Sequence, residues 1–314
     1  MSLPTAIILM VVAVAMWIPD FIAAADMGAT ACRWLYLPVT IDTETNAILI
    51  VAVTLLLTLL NALLLMSLLY TAGATRERSL LPLVVYVFLT SAITELHYLP
   101  SFQVALIFIS LMLALLYKVY RQPFATEEVF LATLLLLIGS MFAPDFLWLI
   151  LFIWIGLVSE RAMSMRSLLA SLIAIVVVGS VVALIEMLTI GGIIGEPFAN
   201  LINRSLITID LSPLFIGYAL LALISIILVI YYFSTRTLLN VKHIVAYDLF
   251  VGLMIVVFIF TIWRGDNSLN LYPLGLFAFS ALISHYFLNN QSIARGVLFI
   301  LYFVAQIAFF IIRT

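Results

Sequence analysis

Residues 47–72 read AILIVAVTLLLTLLNALLLMSLLYTA, without one charged side chain. A helix rises about 1.5 Å per residue, and the hydrocarbon core of a bilayer is about 30 Å thick, so roughly 20 apolar residues suffice to cross it. A soluble helix of this length would carry a polar stripe, and this stretch has none. It predicts a membrane-crossing α-helix.

The same pattern repeats along the chain. Further spans are predicted near 4–24, 80–95, 102–119, 128–143, 146–159, 167–190, 213–234, 245–263, 271–288 and 292–312. The pairs 80–95/102–119 and 128–143/146–159 are short and closely spaced, so each is read either as a true hairpin or as partly re-entrant. The fold class is therefore all-α: a polytopic transmembrane helix bundle of about eleven spans (range roughly 9–13) built of helical hairpins. It forms a single integral membrane domain over 1–314, with no soluble domain. The N-terminus resembles a signal peptide in its apolar run and in Ala23-Ala24-Ala25, but no Lys or Arg precedes the run. It is read as the first span.

Composition agrees: 66% of the 314 residues are hydrophobic and 9% are charged, against about 25% charged in an average soluble domain. The lipid bilayer is the expected solvent. A net charge of -2 and the lack of any nucleic-acid-binding motif set that class of partner aside. Cys32 is the only cysteine, which excludes an internal disulfide and a multi-cysteine metal site. There is no P-loop, HExxH or GxSxG pattern, so no cofactor and no metal is expected.

Orientation follows from the basic residues. With the N-terminus inside, Arg76, Arg78, Lys118, Arg121, Arg161, Arg166, Arg236, Lys242 and Arg295 fall on the cytoplasmic side. Only Arg33, Arg204, Arg264 and Arg313 fall outside. That bias is the positive-inside pattern and predicts N-in, C-out. Ten of the fifteen acids fall at or beyond outer ends, among them Asp20, Asp26, Glu95, Asp145 and Glu186. Outer turns recur as HYLPSF (97–102), FAPDF (142–146), LSPLF (211–215) and LYPLG (271–275). They place Pro100, Pro144, Pro213 and Pro273 in first helical turns, where a missing N–H costs nothing.

Candidate chemistry clusters at the outer face. The segment PDFIAAADMGATACRWLYLPVTIDTETN (19–46) is the most polar and aromatic. Asp20 or Asp26 could act there as a general base toward a lipid-linked substrate, with Arg33 and Arg204 for phosphate. The plainer reading is an interfacial segment with an aromatic belt and solvated acids. Glu95, His97 and Asp145 sit in tight turns, where they either relay protons or simply face headgroups. Glu186 lies inside the seventh span near its outer end, where it is either functional or snorkels to the interface. Asn61, in mid-span, is expected to bond helix to helix. His243 and Asp248, near the cytoplasmic face, are expected to be solvated.

The stretches LLNALLLMSLLYTAGATRERSLLPLVVYVFLTS (59–91), LYKVYRQPF (116–124) and APDFLWLILFIWIGLVSERAMSMRSLLASLIA (143–174) resemble an uncharacterised family of multi-spanning proteins from Bacteroidota, known only as a domain of unknown function. The resemblance runs from about Leu60 to Val182. The chain departs from the family's habit of an acidic or aromatic residue after Arg166, having Ser167-Leu168 there. The resemblance implies an inner-membrane protein of a diderm bacterium and carries over no catalytic residue. More distantly, the layout is similar to membrane glycosyltransferases and polysaccharide polymerases. The expected function is a non-catalytic subunit or scaffold docking other membrane or envelope proteins. The alternatives are a lipid-linked sugar transferase or polymerase and, third, a transporter.

Overall fold

A computed structural model describes residues 3–35, 41–73, 79–119, 122, 125–159, 162–188, 213–239, 241–264, 271–289 and 293–313. The chain is all-α apart from one hairpin. Its helices are α1 (Leu3–Ala15), α2 (Ile18–Met27), α3 (Ala47–Thr71), α4 (Leu81–Ser91), α5 (Pro100–Lys118), α6 (Thr126–Phe142), α7 (Leu149–Ser159), α8 (Met165–Leu188), α9 (Pro213–Thr235), α10 (Val241–Arg264), α11 (Tyr272–Asn289) and α12 (Ile293–Arg313). In lipid a helix satisfies its own backbone, which is why these uniformly apolar segments fold this way.

Five stretches among the described residues are long and apolar enough to cross a membrane: Leu3–Met27, Ala47–Thr71, Pro100–Lys118, Met165–Ile185 and His243–Ile262. Shorter apolar helices run over Leu81–Ser91, Pro144–Val158, Leu221–Thr235 and Tyr272–Leu288. This is a membrane protein.

Burial explains why some helices are short. All 11 residues of α4 are buried, and α4 packs against α1, α3 and α11. At about 1.5 Å per residue it is roughly 16 Å long, half a hydrocarbon core. The segment 80–95, read as a hairpin arm or as partly re-entrant, forms this short helix inside the bundle, followed by a 3-10 turn at Thr94–Tyr98. A helix sheathed by other helices has no lipid-facing length to match. At the other extreme, α8 buries a stripe of Ser167, Ser171 and Ala174, while Ile173, Val176, Leu184 and Met187 are exposed. That pattern suits a helix at the edge of the bundle with lipid around it.

Polar side chains tie the interior together. Asn61 Nδ2 on α3 donates to the Gln103 carbonyl at 2.8 Å and to Gln103 Oε1 at 2.9 Å on α5. The Tyr86 hydroxyl on α4 donates to the same Oε1 at 3.1 Å. All three residues are buried. Next to them α5 and α6 approach closely at Gly139, where an added Cβ would stand 3.2 Å from Phe108 Cβ and 3.3 Å from the Ala105 carbonyl oxygen. Small residues permit such approach between membrane helices.

The segment expected to be an interfacial loop is more ordered. α2 continues through Met27, Gly28 turns the chain at a φ of 67°, and β1 (Ala29–Leu35) pairs antiparallel with β2 (Ile41–Asn46). The Asn46 side chain then accepts from the Ile48 N–H at 3.0 Å, capping α3.

Candidate functional site

The site begins with Pro19. A proline ring clashes with the carbonyl four residues back, here Ala15, and α1 ends there. The two-residue break turns Trp17 inward to 1% exposure. Its indole N–H donates to Ser91 Oγ at 2.8 Å, and that hydroxyl donates to the Val87 carbonyl at 2.7 Å. The helix resumes as α2 with Asp20 in its first turn, buried at 8% exposure.

The partner comes from 77 residues away. α4 stops at Ser91, and a 3-10 turn carries Glu95, His97 and Tyr98 before Pro100 opens α5. Leu99 is held out of the helical region at φ -119°, ψ 64°, as the residue before a proline tends to be. His97 Nδ1 lies 2.7 Å from Asp20 Oδ2. The imidazole stacks on the Trp17 indole, with centroids 3.6 Å apart and planes at 19°. The Tyr98 hydroxyl donates to the Asp20 carbonyl at 3.4 Å. Trp17, Ala24, Ala47 and Val51 form a small apolar cluster around this corner.

In the tautomer in which Nδ1–H donates to Asp20, Nε2 is left as an acceptor. That Nε2 is buried with no hydrogen-bond partner among the described residues. A carboxylate that orients an imidazole in this way can support a base or simply fix the ring.

The other predicted residues lie elsewhere. Asp20 is not the solvated loop acid expected: the helix runs on past it and tucks it beneath the 94–98 turn. His97 and Asp145 are likewise buried, at 0% and 3% exposure, rather than turned to headgroups. Their 3-10 turns fold back against the bundle. Asp145 stands in the turn Pro144–Trp148 ahead of α7. Glu95 is half-buried, and the Thr94 hydroxyl donates to its Oε2 at 3.4 Å. Asp26 is exposed in the last turn of α2. Arg33 on β1 pairs across the hairpin with Asp42 in backbone register. Arg204, and the side chains of Arg33 and Glu186, lie outside the described residues. No three His, Cys, Asp or Glu side chains converge among the described residues.

A second polar cluster stands at the α9–α10 turn. Arg236 Nη2 donates to Asp248 Oδ2 at 2.6 Å. The Tyr232 hydroxyl donates to Asp248 Oδ1 at 2.8 Å and to the Ile244 carbonyl at 3.1 Å. His285, 1% exposed, lies against Tyr247 at 4.2 Å between ring centroids. The expectation of a solvated Asp248 is thus corrected: it closes the hairpin by pairing with the end of the preceding helix. Arg236 and Asp248 are 12 residues apart across a tight helical turn, and that spacing was the available signal.

No protein-family model, no curated protein and no solved structure matches the chain.

Proposed function

We propose that the chain is a non-catalytic integral subunit of an envelope-biogenesis or export complex in the inner membrane of a diderm bacterium, oriented N-in and C-out with about eleven crossings (9–13). One observation carries this reading. Several buried polar side chains bond one element of the bundle to another: Asn61 with Gln103, Tyr86 with Gln103, Trp17 with Ser91, and Asp20 with His97. Such bonds between membrane helices fix a bundle's shape, and a fixed, lipid-clad bundle suits a docking platform.

A second reading is an outer-facing enzyme acting on lipid-linked sugars. The unmatched His97 Nε2 beside Asp20 favours it. In that reading Asp20, through His97, or Asp26 would serve as the base toward an acceptor hydroxyl, with Arg33 and Arg204 for the donor's phosphates.

Affinity purification from a gentle detergent, through a C-terminal tag, separates the two. Stoichiometric recovery of other envelope proteins is the expected result. Recovery of the protein alone, with a polyprenyl-linked sugar, would favour the enzyme. Orientation has its own test in a Cys32→Ser background. A membrane-impermeant maleimide should label Asp26→Cys in intact spheroplasts and reach Met163→Cys only after permeabilisation. Both original side chains are exposed. The reverse order of labelling would overturn the assignment.

A further inference from the structure

We draw no further inference here: the strongest candidate, the apolar groove that Leu228, Leu276, Phe279 and Ile283 line between α9, α11 and α12, carries nothing because nothing in the structure shows what covers it.

Discussion

Asp20→Leu alone is expected to destabilise the bundle by about 3 kcal/mol, and His97→Phe alone by a similar amount, because each leaves a buried polar partner unmatched. With Asp20 gone, His97 Nδ1 and Nε2 are both unpaired in a site with 0% exposure. With His97 gone, the carboxylate at 8% exposure loses its 2.7 Å contact. The double variant Asp20→Leu/His97→Phe is expected to recover most of the loss. A buried polar pair can be exchanged for apolar groups of similar volume at little net cost, and phenylalanine keeps a ring against Trp17. Unfolding of the four proteins in a detergent titration gives the coupling directly, expected at about 2 kcal/mol or more. Additive losses would mean that the two side chains do not act as a unit.

The second large effect is expected at Gly139. Leucine there must displace the Ala105 carbonyl, which belongs to the α5 backbone and cannot rotate away. Separating α5 from α6 also pulls at the stacked Phe108 and Phe142 rings, 5.9 Å apart. A loss of about 3 kcal/mol is expected, at the upper end of overpacking costs. Gly139→Ala should lose about 1 kcal/mol, since its neighbours need yield only a few tenths of an ångström. Gly179→Leu on α8 is the control, because nothing lies within 4 Å of its added Cβ. Thermal melting in detergent should leave Gly179→Leu unchanged and order the others as Gly179→Leu, Gly139→Ala, Gly139→Leu. A neutral Gly139→Leu would contradict the close α5–α6 approach.

Much of this architecture was legible because membrane helices announce themselves by composition. The recurring prolines mark helix starts as predicted: Pro100 and Pro213 open α5 and α9, and Pro144 opens the turn into α7. The site was less legible, for two physical reasons. The apolar run ends near Asp20, so a charge count reads the acid as lying outside. Pro19, one position earlier, carried the signal of a break followed by a resumed helix. The contact with His97 spans 77 residues, and no local periodicity encodes a pairing of that range. The hairpin was hidden differently. Strands of seven and six residues share their Trp, Arg and Asp content with interfacial loops, and only a period of two separates them. The shortness of α4 was visible, but its cause, burial by α1, α3 and α11, belongs to the tertiary structure.

On the proposed reading, the Asp20–His97 pair clasps the bundle of a docking subunit and has a structural role. It is tested most directly by tagging Asp20→Leu/His97→Phe at the C-terminus, expressing it in place of the native protein, and comparing its co-purifying envelope proteins with those of the wild type. The expected result is the same partners in the same proportions, with normal cell-envelope growth. A double variant that is stably folded yet behaves like a deletion would contradict it, and would assign the pair to catalysis.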